Sequence, residues 1–540
     1  MIYALLLCLI CLPNCYANAV LPDLALPSYI ADGSTVLLDC GRVYSGELNL
    51  EAKSAVTVKT SGNCGPATIS LATPLSGWRR ESGAYPIWSA AITIQPAQVE
   101  VGQRFMTLAH YPPSPQSWMT AASQHAGQLS LQLPNHDVVG AILVWRANDW
   151  LILAHPVLRY TSPHLTIASN VRDEFIFPPQ TSFYIEGKCW MLTAAGEWCV
   201  EQGRLYVWAH DGGSPEGRTR VAPRGSAINA NNSKSIYIQN IKIRMATVGV
   251  VANNAHHLFI NNSEFEQLGE EAIIAGGEDI YLDKLRIKLT GLNGIRFTDD
   301  ARQIVVRDST IDGAGMLGMP KRSKGAIVLE QAQQSHIIGN TILNSAYIGI
   351  RTFRHSVVEN NHIVRACLRL TDCGGIYTYA RDGLPLNTVI RLNTISDIQG
   401  SLSYGIYLDD EANNVQVVGN TIEHNAGGLQ LHNAHHNLIQ GNLFNKNKNQ
   451  QILFNETVMQ PILRSNNISR NNFINDDAVP VYRLWSALGS QTIGNFASYS
   501  GNSYKVADKG FAELAGSGMI DWRGWRSRMR DTGNLYPQNK

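Results

Sequence analysis

From residue 236 onward one short pattern keeps returning: two apolar residues, two polar ones, often Asn, then a polar and an apolar residue. It begins with "YIQNIKI" at 237 and continues as "FINNSEF" at 259, "YLDKLRI" at 281, "VVRDSTI" at 305, "HIIGNTI" at 336, "VVENNHI" at 357, "VIRLNTI" at 389, "QVVGNTI" at 416, "LIQGNLF" at 438 and "NISRNNF" at 467. The period is near 22 residues with insertions at defined places. A 22-residue repeat with period-2 alternation is too short for a helical hairpin and lacks a leucine-rich consensus. It predicts an all-β solenoid, a right-handed parallel β-helix of ten or more coils, each about three short strands stacked at about 4.8 Å. The fifth position holds Asn340, Asn361, Asn393, Asn420, Asn442 and Asn471. Asn tolerates left-handed backbone at a corner, and stacked amides can satisfy one another.

The pattern is lost between about 73 and 225, a Trp- and Pro-rich stretch that reads as hairpins of an inserted β-rich domain. The expected organisation is a signal peptide over 1–19, an N-terminal cap and first coils over 20–72, the insertion over 73–225, the main β-helix with its groove over 226–475, and closing coils with a cap over 476–540. The signal reading rests on an apolar run from Ile2 to Leu12 and a small-x-small site at Ala17 to Ala19. It implies a secreted or periplasmic protein. Six of the nine cysteines then remain, in close pairs suggesting three disulfides between neighbours: Cys40 and Cys64, Cys189 and Cys199, Cys367 and Cys373.

Only 16% of residues are charged and the net charge is +1, so neither nucleic acid nor an anionic membrane is an indicated partner. No segment has enough uninterrupted apolar residues to insert into a bilayer. Zinc spacings are absent, and neither a metal nor a cofactor is expected. Nothing in the pattern requires more than a monomer.

A second column follows each corner: "GIRFT" at 294, "AIVLE" at 326, "GIRTF" at 349, "GIYTY" at 375, "GIYLD" at 405, "GLQLH" at 428 and "QILFN" at 451. The second and fourth residues of each block should face the core and the third and fifth the outside. This lines up Arg351, Tyr377, Tyr407 and Gln430, and beside them Glu330, Phe353, Tyr379, Asp409 and His432. Asp409 and His432 then stand one coil apart, roughly 5 Å. An exposed strip of aromatic rings, planar polar groups, Arg and carboxylates suits a saccharide: rings for sugar faces, Arg for a carboxylate. Asp372, Asp382 and Asp410 bring further carboxylates nearby.

These segments, with "GQRFMTLAHYP" at 102, "GEWCVEQGRLYVW" at 196, "DCGGIYTYARDG" at 372 and "GLQLHNAHHNLIQGN" at 428, resemble the glycoside hydrolases with right-handed parallel β-helix folds, especially families 120 and 141. The resemblance implies carboxylate chemistry, with Asp372 and Asp409 as the pair and Asp382 or Asp410 as substitutes. In the family 120 pattern the position matching His432 carries the carboxylic acid/base; here it is histidine. Along a straight strand, Asp372 and Asp409 would lie about 23 Å apart, so Asp372 joins the site only if its Gly-Gly corner folds back.

The leading expectation is a glycosidase acting on a polysaccharide or oligosaccharide. Asp409 serves as nucleophile or base, Asp372 or Asp382 as acid, and His432 with Glu330 positions them. The alternative is a lyase: Arg351 neutralises a uronate on an anionic substrate, Tyr379 or His432 moves the proton, and calcium assists. The third is a non-catalytic carbohydrate-binding β-helix.

Overall fold

The computed structural model describes residues 23–113, 118–120, 123–125, 128–167, 182–318, 321, 323–458, 462–475 and 479–536. The signal expected over 1–19 lies outside them. The chain winds into a right-handed parallel β-helix with three strand faces. One face is a 15-stranded sheet of short strands such as Thr394–Ser396 and Thr421–Glu423. The other two, continuous through the long strands Val248–Asn261 and Ile273–Asp283, share a 25-stranded sheet.

The recurring seven-residue pattern is one corner of this helix. In "QVVGNTI", Val415–Val418 is a strand of the second face, Gly419 and Asn420 turn the corner, and Thr421–Glu423 starts on the first. The left-handed residue is the one before the ladder asparagine, not the asparagine itself: Gly339, Asn360, Leu392, Gly419, Gly441 and Arg470 all have φ between 54° and 67°. The asparagines are there for the stack. Asn393 donates its backbone N–H and its Nδ2 to Asn420 Oδ1 at 3.0 and 2.9 Å, and Asn420 does the same to Asn442 at 2.8 and 2.9 Å. Each Nδ2 also reaches a carbonyl of an earlier coil, as Asn420 does to Ile390 at 2.9 Å. The stack continues through Asn471 to Asn502, fully buried, and so satisfies backbone donors that the corner leaves without a strand partner. Shorter stacks at Asn425–Asn447 and Asn437–Asn466 serve the other corners.

Core residues stack in columns; Ile350, Ile376, Ile406, Leu429 and Ile452 are all fully buried. The glycines inside two of the cleft strands, Cys373–Tyr379 and Ser403–Asp409, have a packing cause. A Cβ on Gly375 or Gly405 would come within 2.5 Å of Ile395 or Ile422 on the opposite face, so only glycine lets the corner close. At the C-terminal end the helix Trp522–Met529, N-capped by Asp521, lays Trp525 on Tyr482 with ring centroids 4.5 Å apart and covers the last coil.

The insertion leaves and re-enters at one point: Thr73–Pro74 pairs antiparallel with Thr219–Pro223, and Ile241 resumes the next coil directly against Ala67. Between these points lie antiparallel sheets with their own cores, one around Trp145, Phe183 and Leu143. The three disulfides join neighbours: Cys40–Cys64, Cys189–Cys199 and Cys367–Cys373. No helix among the described residues is long and apolar enough to cross a membrane.

Candidate active site

The third face carries the second column in the expected register. Ile350 pairs with Ile376, Tyr377 with Tyr407, Tyr379 with Asp409, Tyr407 with Gln430, and His432 with Asn455. The column is not an exposed strip, however. Tyr407, Gln430 and Asp409 are 3%, 4% and 7% exposed, because loops and the inserted domain wall the face into a cleft of about 1070 Å³. The wall is the hairpin made by Ile142–Asn148 and Leu151–Thr161, whose tip brings Asp149, Trp150, Leu151 and Leu153 to the cleft. It is tied down beside the site: Thr371 N–H donates to Asp149 O at 2.9 Å and Arg146 Nη2 to Arg369 O at 2.7 Å.

Asp409 is the most heavily hydrogen-bonded carboxylate of the cleft. Its Oδ1 accepts from His432 Nδ1 at 2.5 Å and from the Asp410 N–H at 2.9 Å, and its Oδ2 accepts from Tyr377 Oη at 2.7 Å. Burial pushes its pKa up, but His432, Tyr377 and the backbone donor outweigh burial and hold it below the ordinary carboxylate value. Burial pulls His432 down while Asp409 and Asp410 pull it further up, so its imidazole is held toward the charged form. Its Nε2 faces Thr457 Oγ1 at 2.7 Å.

Asp372 behaves in the opposite way. Burial, then the charge of Asp409, raise it to about 6, against a hydrogen bond from Tyr407 Oη to its Oδ1 at 3.2 Å. Gly374 and Gly375 lie within the strand Cys373–Tyr379, and the chain bends tightly there: a Cβ on Gly374 would stand 2.6 Å from Ile376 O. Asp372 just before it is left-handed, with φ +55°, and is pinned by Tyr347 Oη on its carbonyl at 2.9 Å and by the Cys367–Cys373 bond next door. Tyr407 then spans the interval. Gly374 leaves it room, since a Cβ there would stand 3.1 Å from Tyr407 Cβ. Its ring packs edge-on against Tyr377 and Tyr404, both at 5.4 Å.

Three expected residues lie elsewhere. Asp382 is half exposed and does not line the cleft; it lies beyond the end of the strand Cys373–Tyr379, where Arg354 pairs with its carboxylate. Glu330 is not among the lining residues; it is paired with Lys324 and lies 4.0 Å from Arg351, both of which do line the cleft. Phe353 is 5% exposed and packed in the core against Tyr379, with Arg354 over its ring. Asp410 does line the cleft, held by Arg381 Nη2 at 2.5 Å, and so do Arg351, Tyr377, Tyr379, Tyr407 and Gln430. Trp150, Trp485 and Arg483 also line it and were not anticipated. "VYRLW" at 481 carries the same alternation as the earlier blocks and would have yielded Trp485; Trp150 lies where no repeat offers an alignment.

Asp409, Asp410 and His432 offer ligand atoms within 4.8 Å of one another. The His432–Asp409 ion pair occupies two of those atoms, so a cation such as the calcium of the lyase alternative would have to break it.

The chain matches the family model described as "Right handed beta helix region" over residues 226–395 and 372–518. No curated protein matches it. Among solved structures, one titled "Glycoside hydrolase" aligns with a TM-score of 0.54 at 12% identity, covering 78% of this chain and 87% of that one. The catalytic unit of a thermostable GH87 alpha-1,3-glucanase from Streptomyces thermodiastaticus aligns with a TM-score of 0.36 at 10% identity, over 84% and 97%. The A-module of an Azotobacter vinelandii mannuronan C-5 epimerase gives 0.33 at 11% identity, over 58% and 89%. At such identities the likeness is one of fold.

Proposed function

Since this chain belongs to the right-handed β-helix family, we propose that its cleft is the active site of an exported glycoside hydrolase acting on a polysaccharide or oligosaccharide. The observation that carries the reading is the contrast between two carboxyl groups lining one cleft: Asp409 held down by three donors and Asp372 raised to about 6. Glycoside hydrolysis needs that contrast, one acid able to give a proton to the leaving oxygen and one carboxylate ionised beside it.

In this reading Asp372 is the general acid. Near pH 6 about half of it carries a proton in the free enzyme, and Tyr407 orients the carboxyl. Asp409 is the nucleophile, or the base that activates water; a retaining route wants the carboxyls about 5–5.5 Å apart and an inverting one about 6.5–9.5 Å. His432 and Tyr377 position Asp409 and keep it charged. Tyr379 supplies a ring face for a sugar unit, while the nearly buried Tyr407 and Gln430 line the cleft beside it. The three disulfides suit an oxidising compartment, in keeping with export.

Elimination fits less well. It needs a free base, and His432 has Nδ1 bound to Asp409 and is held toward its protonated form. The test is to incubate the protein with neutral and uronate-bearing polysaccharides while following reducing ends and the ultraviolet absorbance of unsaturated uronates. Reducing ends without absorbance, lost in Asp409→Asn and in Asp372→Asn, support hydrolysis; rising absorbance, or an active Asp409→Asn, overturns it.

A further inference from the structure

We propose, resting on the hydrolase reading above, that the cleft takes a carboxylate-bearing glycan laid along the helix axis, with Arg351 receiving one carboxylate and Trp485 stacking on a ring at the far end.

The register gives the layout. Arg351, Tyr377, Tyr407, Gln430, Leu453 and Arg483 form one continuous column over six coils, and Trp485 stands beside Arg483 on the last of them. Five strand spacings span about 24 Å. Asp409 lies on the third coil, so Arg351 is two coils to one side, about 10 Å, and Trp485 three coils to the other, about 14 Å. A cleft that runs past its catalytic carboxylate in both directions has room for several sugar units on an unbroken chain.

The charges single out Arg351. The other cations of the cleft are clamped by protein carboxylates: Arg381 by Asp410 at 2.5 Å, Arg483 by Glu513 at 2.7 Å, His432 by Asp409 at 2.5 Å, and Lys324 by Glu330. The nearest carboxylate oxygen to Arg351 is Glu330 Oε2 at 4.0 Å, and the other oxygen of that group is taken by Lys324. The guanidinium lies over the rings of Tyr377 and Tyr379 at 5.5 and 5.0 Å, and its Nε is buried without a hydrogen-bond partner. Its one side-chain hydrogen bond is to Tyr379, not to a carboxylate, so a planar fork only 16% exposed is left without a close anionic partner and suits a carboxylate taken in two parallel hydrogen bonds. A neutral hydroxyl would leave most of that charge unmatched.

The second observation is aromatic. Trp150 and Trp485, 43% and 47% exposed, are the exposed tryptophans among the described residues, and both line this cleft. Indole faces open to water in a concave site are platforms for the C–H face of a sugar ring.

The experiment is calorimetric binding to the Asp409→Asn protein. The probes are oligogalacturonates, alginate oligomers and glucuronoxylan fragments of about four to six units, matching the span of about 24 Å. Each is compared with the same oligomer after reduction of its carboxyls to alcohols. At least one carboxylate form should bind about tenfold or more tighter than its reduced twin. Arg351→Met in that background should erase the difference, Arg351→Lys should restore part of it, and Trp485→Ala should weaken both forms alike. Equal binding of every pair, or binding of none, overturns the inference, and neither result depends on an arginine variant folding. Turnover by the unmodified protein separates the two claims. Reducing ends released equally from reduced oligomers, with no binding preference, sink the anionic substrate and spare the hydrolase. Selective binding of carboxylate forms without any hydrolysis does the reverse.

Discussion

Tyr407 Oη stands 3.2 Å from Asp372 Oδ1, although 35 residues separate them, and this phenol ties the Asp372 carboxyl to the strand that carries Asp409. Its hydrogen bond works against the burial and the Asp409 charge that raise Asp372 to about 6. The alkaline limb of kcat/KM should therefore fall near pH 6 and move upward in Tyr407→Phe, which removes the one opposing donor. A pH–rate profile on the substrate found by the panel checks this; a limb that stays put or moves down excludes Asp372 as the acid.

The same shift has a stability consequence. A carboxyl whose folded pKa is raised favours the folded state at low pH, and that contribution is lost as pH rises from about 3.8 through about 6. Asp372→Asn should then raise the melting temperature at pH 8 and leave it unchanged at pH 3.5. The gain should be on the order of 2 kcal/mol after allowance for partial exposure. Differential scanning calorimetry at the two pH values decides.

The Asp409–His432 pair carries the opposite sign on each side. The lowered carboxylate contributes stability above its unfolded value near 3.8, and the raised imidazole contributes below its unfolded value near 6.5. His432→Ala should cost most stability between those values and little above about pH 8. It should also move the acid limb of kcat/KM upward, since Asp409 loses its main charged neighbour. A loss of stability that grows steadily above pH 7 would contradict this pairing.

The Cys367–Cys373 bond closes a short corner whose last loop residue is Asp372. Replacing both cysteines with serine should cost about 2 kcal/mol by loop entropy and lower kcat at least tenfold, because the acid loses its fixed corner. The equivalent change at Cys40 and Cys64, far from the cleft along the chain, should lower the melting temperature and leave kcat within about twofold of the unmodified protein. Denaturation and initial-rate measurements on both variants make the comparison.

Asn420 lies in the middle of the buried amide stack. Asn420→Ala strands the Asn393 N–H and the Ile390 carbonyl, and should cost about 3 kcal/mol, read as a fall in urea midpoint. Asn445, on the half-buried face of a strand, should tolerate alanine with a change under about 0.5 kcal/mol.

The architecture and the coil register were legible because stacking imposes one pattern on every coil; Asp409 and His432 could be paired by aligning "GIYLD" with "GLQLH". What was not legible came from outside the repeat. Burial of the column depends on a hairpin inserted some 250 residues earlier in the chain, and no periodicity points from Trp150 to Tyr407. Asp372 was reachable only through a left-handed residue and the lean of one tyrosine, both properties of tertiary packing. Asp382, Glu330 and Phe353 are away from the cleft lining for a common reason. A strand pattern says which side of a sheet a residue starts on, but not where the chain goes at the strand end or what partner captures its charge.

Because each coil repeats the register of the one before, the distance from Asp409 to Trp485 is a whole number of strand spacings. Loss or duplication of one complete coil between them would move the tryptophan by a single step and leave both of its ends correctly paired. The cleft is therefore adjustable in discrete lengths, and descendants of this protein can come to hold shorter or longer ligands while the surroundings of Asp409 stay as they are.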